Sequence, residues 1–122
     1  MKNYVLIAVS MAGLFLTAPA QAGDAAAGAK VFKKCKACNY VDRKKNKSGP
    51  HLVNVVGRAA GVVEGFKYSK AMAGSGLVWD ETILTGFLAK PKKYLKGTKM
   101  SFAGLKKESD IANVIAYLKA AK

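Results

Sequence analysis

Apolar positions follow a helical period in three places along this chain. Gly28, Val31, Phe32 and Cys35 stand at i, i+3, i+4 and i+7, one stripe along a helix. Asp24 precedes them as an N-cap whose carboxylate can accept from first-turn amides, so a helix is predicted from there through Lys36. A glycine on the buried stripe weakens a helix and usually marks the close approach of another backbone. This helix is therefore expected to cross a second one tightly at Gly28. Ile83, Leu84, Phe87 and Leu88 give a second apolar face, capped by Asp80 and stopped at Pro91, where proline removes an amide and crowds the preceding turn. Ile111, Val114, Ile115 and Leu118 repeat the stripe in a last helix beginning at Ser109 or a neighbour.

The intervening stretches lack that period. Val41 to Ser48 is polar and basic and ends in the turn signal Gly49-Pro50. Leu52 to Val56 is a short apolar run that could form a strand, but no partner with matching alternation occurs. Gly57–Tyr68 reads as an irregular loop, Ser69 as the cap of a short helix ended by Gly74 and Gly76, and Lys92–Gly104 as a loop rich in lysine and glycine. Amphipathic helices, long loops and no convincing sheet predict a small all-α domain.

The N-terminus has a different character. A short basic start, an apolar run from Tyr4 to Thr17, and then Ala20-Gln21-Ala22 form the pattern of a signal peptide. A membrane span needs about 20 apolar residues, and this run is shorter and ends at Pro19. Residues 1–22 are thus expected to be cleaved, leaving an exported domain over 23–122; a retained anchor is the alternative. A domain of that size has a modest core and commonly needs a staple. Charge narrows the partners. Lysine and arginine number 21 against 7 acidic residues, a net +14, of which the leader carries only Lys2, leaving +13. In an exported protein this favours acidic protein surfaces or anionic headgroups over nucleic acid, unless the lysines serve solubility alone.

The two cysteines are the only staple material. Cys35 and Cys38, three apart on one turn, can present both sulfurs to the same side, where two thioether bonds would hold a flat cofactor. In the haem-attachment pattern the next residue is histidine, the iron ligand; here it is Asn39. Export also permits a disulfide. A thioredoxin-like pair expects a strand and βαβ units around it, and structural zinc wants four ligands, one more than the two cysteines and His51 provide. Met100 lies in the polar loop Gly97-Thr98-Lys99-Met100-Ser101-Phe102, which has no periodic core for a methionine to fill, so its thioether is a candidate ligand. Phe32, Phe66, Tyr68, Trp79 and Phe102 could wall a porphyrin.

These segments resemble the class I c-type cytochromes, the mitochondrial and bacterial soluble electron carriers, over essentially the whole of 23–122. The resemblance rests on GDAAAGAKVFKKCKAC, GP-L at 49–52, GR at 57–58, GFKYS at 65–69, LVWDE at 77–81, PKKYLKGTKMSFAGLKK at 91–107 and IAYLK at 115–119. It implies a cytochrome c fold of three main helices and long loops around one covalent haem c per chain. Cys35 and Cys38 would be the attachment sites, Met100 the distal iron ligand, and Arg58, Tyr68 and Trp79 the residues that hold the propionates. Gly28 and Phe32 would pack against Tyr117. Asn39 falls at the position of the proximal histidine and departs from the family pattern. It could ligate weakly or through water, yield to His51 or to a lysine, or abolish carrier function while the fold persists. Pro50, whose family counterpart's carbonyl accepts a bond from the histidine ring, puts His51 on the proximal side.

The resemblance implies an exported, periplasmic, monomeric carrier of single electrons between membrane redox complexes, and no enzyme. Lys33, Lys34, Lys36, Lys92, Lys93, Lys96 and Lys99 would ring the haem edge and steer it onto acidic docking surfaces of membrane complexes or soluble redox proteins. Peripheral membrane contact fits the same charge. The alternative is a ligand-deficient haem protein with an open iron position, peroxidase-like or gas-binding; a haem-free relic acting as a binding module is a third reading.

Overall fold

A computed structural model describes residues 8–10, 12, 13 and 23–121; the expected leader lies almost wholly outside them. Five helices follow in order: α1 (Ala25–Phe32), α2 (Lys70–Ala73), α3 (Glu81–Ala89), α4 (Pro91–Tyr94) and α5 (Glu108–Ala120). Among the described residues there is no strand, only isolated bridges pairing Asn39 with Asn46 and Ala59 with Val78. None of the helices described is long and apolar enough to cross a membrane. The all-α expectation holds, and Leu52–Val56 is turn and coil.

Three of the helices start where the sequence puts their caps. Asp24 accepts from the Ala26 amide, Ser69 from Met72 and Asp80 from Ile83, each meeting a first-turn amide that has no partner within its helix. The boundaries differ in three respects. First, α1 ends at Phe32 rather than Lys36. The Lys33 and Lys34 amides reach back only three residues, to Lys30 and Val31, a tightening common at helix ends. The cysteine motif therefore lies in hydrogen-bonded turns beyond the helix. Second, Pro91 ends α3 but also opens α4, where its fixed φ and missing amide suit the first helical position. Third, α5 begins at Glu108, a residue before Ser109, with Lys107 as a cap that makes no side-chain bond.

The core is assembled on the crossing of α1 and α5. A Cβ on Gly28 would collide with the Asn113 carbonyl, so only glycine permits this approach. The Asp24 amide donates to Asn113 Oδ1 at 2.9 Å, and the Phe32 and Tyr117 rings lie 5.2 Å apart. The predicted stripe of α5 (Ile111, Val114, Ile115 and Leu118) is wholly buried, and Leu84 and Phe87 of α3 pack on the same cluster. Full burial of such side chains contributes about 1.5–3 kcal/mol each. Val41, Val55, Ala60, Trp79 and Leu105 join this core from outside the helices.

Candidate functional site

The turn after α1 positions two sulfurs. Cys35 N–H donates to Phe32 O at 2.8 Å, and the Cys38 and Asn39 amides both donate to Cys35 O at 3.0 Å, which winds 35–39 into one further helical turn. Both thiols are free; Cys35 is half-buried against the core and Cys38 is exposed. Burial, and then the neighbouring Cys38, push the Cys35 thiol above its ordinary range against an opposing pull from Lys34. The pair is thus set at the surface edge of the core, with one sulfur facing inward.

Asn39 follows on the same turn, half-buried, and donates from Nδ2 to the Pro50 carbonyl at 2.7 Å. The Gly49 amide closes the loop by donating to Cys38 O at 2.8 Å. A Cβ at Gly49 would press on Asn39 Nδ2, so a side chain here would have to shift the Asn39 amide. His51 lies just beyond. Its amide is held by Asn46 Oδ1 at 3.0 Å, its carbonyl accepts from Arg58 Nη2 at 3.0 Å, and its ring Nδ1 accepts from the Val53 amide at 3.3 Å. Burial, then the charges of Arg58 and Lys44, hold this imidazole below its usual range. Asn46 is the residue that sequence reading missed. It also donates to the Glu64 carbonyl at 3.1 Å, clipping two loops together. Nothing in the sequence distinguishes it from any other polar loop asparagine.

Arg58 and Trp79 come from separate loops and are brought together, while Tyr68 ends the loop that carries Arg58. The Trp79 amide donates to Arg58 O at 2.9 Å and the Gly57 amide to Trp79 O at 2.7 Å, so a short ladder fixes the two residues side by side. Trp79 is buried 4.9 Å from the Phe87 ring. Tyr68 stacks edge-on to Phe66 at 4.8 Å, and its hydroxyl accepts from the Val63 amide. Arg58 donates to the Val53 and His51 carbonyls, yet its Nε is buried with no acceptor among the described residues. A buried guanidinium N–H left unpaired is costly, and an anionic group of a bound molecule would complete it.

Met100 and Phe102 are half-buried and packed on the core from the loop before α5, alongside Leu52, Val56, Met72 and Leu95. This apolar set, two free thiols, a thioether and an unpaired buried guanidinium N–H fit an amphipathic, carboxylate-bearing macrocycle such as haem. The seven lysines at 33, 34, 36, 92, 93, 96 and 99 are all exposed. None of them takes part in the ion pairs found among the described residues, Arg43–Asp42 and Lys119–Glu81.

Comparisons with known proteins converge. Residues 25–122 match the family model described as Cytochrome c. The chain is 52% identical over 99 residues to cytochrome c2 iso-2 of Magnetospirillum molischianum, covering 81% of this chain and 99% of that one. It is 45% identical over 112 residues to cytochrome c2 of Blastochloris viridis, covering 88% of each. Among solved structures, cytochrome cH from Methylobacterium extorquens superposes with a TM-score of 0.77 at 47% identity, over 80% of this chain and 99% of that chain.

Proposed function

The chain belongs to the cytochrome c family, electron carriers that bind haem c covalently, and from that premise we propose that it is a soluble, exported, periplasmic carrier of single electrons between membrane redox complexes. Bound haem supplies the one-electron iron couple; the protein sets its surroundings and its docking. Cys35 and Cys38 would hold the macrocycle through thioether bonds. Met100 would supply a thioether sulfur to the iron, and Asn39 would face the group from the cysteine turn. Arg58, Tyr68 and Trp79 would receive the propionates, with Arg58 Nε a buried donor that has no acceptor among the described residues. The lysines flanking the cysteine turn and the Met100 loop steer the molecule onto acidic docking surfaces, giving fast, short-lived, salt-sensitive complexes.

The observation that carries this reading is the free thiol pair on one hydrogen-bonded turn, with a half-buried sulfur facing the core. Intact mass of the denatured protein should give a polypeptide starting at Gly23 plus one haem, retained through acid–acetone extraction. A haem-free mass, with thiols or a Cys35–Cys38 disulfide, would refute it.

A further inference from the structure

We propose that the Asn39 side of the haem is a binding site for a small neutral nitrogen donor of the imidazole class supplied from solution. This rests on the haem reading above. An amide nitrogen has its lone pair delocalised into the carbonyl and is no ligand for iron. Here it is also committed, as a donor, to the Pro50 carbonyl at 2.7 Å. The backbone at Gly49 closes against that same nitrogen, and the Gly49 amide ties this segment to Cys38 O. Turning the Asn39 amide over would break the Pro50 bond and set Oδ1 against the Pro50 carbonyl oxygen. Asn39 is left with Oδ1, a carbonyl-type oxygen, whereas imidazole is the donor suited to iron.

Two nitrogen donors of this region, on His51 and Lys47, are already engaged. The His51 ring is folded back on its own chain, with Nδ1 accepting from the Val53 amide, and the His51 main chain is fixed at both amide and carbonyl. Lys47 Nζ donates to Lys36 O at 2.8 Å and sits 4.1 Å above the Tyr40 ring. The attachment pattern is built for a histidine ring after the second cysteine, and asparagine is shorter than histidine. An incoming imidazole would fill that shortfall and donate its second ring N–H to Asn39 Oδ1, which accepts no hydrogen bond from the described residues. That contact is of the kind which orients ring ligands at metals.

The test is an imidazole titration of the purified holoprotein, its single haem verified by mass, at a pH where imidazole is neutral, followed by Soret absorption and electron paramagnetic resonance. The parent should pass saturably from high-spin to low-spin. Its half-saturation should lie on the order of tenfold or more below that of Asn39→His, where imidazole must displace a protein ligand. His51→Ala should titrate like the parent. In the parent alone, 1-methylimidazole, which has no second N–H, should bind more weakly than imidazole. A parent that is low-spin without added base and unmoved by it overturns the inference and leaves the carrier reading standing. Equal affinities of parent and Asn39→His overturn it as well. A preparation without haem overturns the functional reading and this inference with it.

Discussion

Asn39 and His51 show how little chemistry depends on residue type until a hydrogen bond fixes the orientation. Asn39→His would give the Pro50 carbonyl a ring N–H in place of an amide N–H and leave the far ring nitrogen for iron. Partners of this kind shift metal affinity by about 10–100-fold, or about 1.4–2.8 kcal/mol. The variant should turn low-spin and gain stability of that order, read as a higher denaturant midpoint with an unchanged slope. His51→Ala should leave the optical spectrum as it was; conversion of a low-spin parent to high-spin would make His51 the ligand. His51 also gives stability a pH dependence. Its native imidazole titrates below the ordinary value of about 6.5, so above that pH it is neutral in both states and has no effect. As pH falls further the unfolded chain takes up the proton first, and stability falls until pH has passed the native value. His51→Asn should flatten that decline in urea midpoints measured between about pH 7 and 5.

At the scale of elements, the crossing of α1 and α5 is where the fold is most exposed to a single change. Gly28→Val puts two methyl groups into the Asn113 carbonyl and must separate the helices. Overpacking of this kind costs about 1–3 kcal/mol, and β-branching within a helix adds to it. Asp24→Ala should cost about 1 kcal/mol, since it removes only the cap bond to Ala26 and spares the Asp24 amide bond to Asn113. Thermal unfolding of the two variants beside the parent checks the ranking, and a Gly28→Val protein as stable as the parent would mean the helices cross less tightly than these contacts imply. The cysteine turn is built directly on the end of α1, so the loss should be larger in holoprotein, where haem would bridge that turn to the loops.

At the scale of the whole molecule, charge dominates. A net +14, with the seven lysines on the segments that flank the cysteine turn and the Met100 loop exposed and outside the ion pairs found among the described residues, makes a strong positive field. Electron transfer to an acidic partner should slow steeply as the screening length falls from about 10 Å at 0.1 M salt to about 3 Å at 1 M. Lys92→Glu with Lys93→Glu should lower the association rate by on the order of tenfold at low salt. Both side chains are exposed, so stability should move by no more than about 0.5 kcal/mol each. A rate insensitive to salt and to this reversal would assign the lysines to solubility.

The sequence by itself determined the helices with a buried stripe and a cap, because period and capping chemistry are local. It marked Gly28 as a crossing point because glycine has one physical use there. Cys35, Cys38 and Met100 stood out because a sulfur pair on one turn and a methionine outside any periodic core have few other purposes. It could not say that α1 stops at Phe32, that Pro91 opens a helix, or that Val41, Val55 and Leu105 are core, since those follow from packing against distant chain. Only the tertiary structure brought Arg58 beside Trp79 and left its Nε buried without an acceptor among the described residues. Only the tertiary structure committed the Asn39 nitrogen to Pro50 and turned His51 back onto Val53. A side chain's orientation is decided by which backbone groups arrive next to it, and those arrive from elsewhere in the chain.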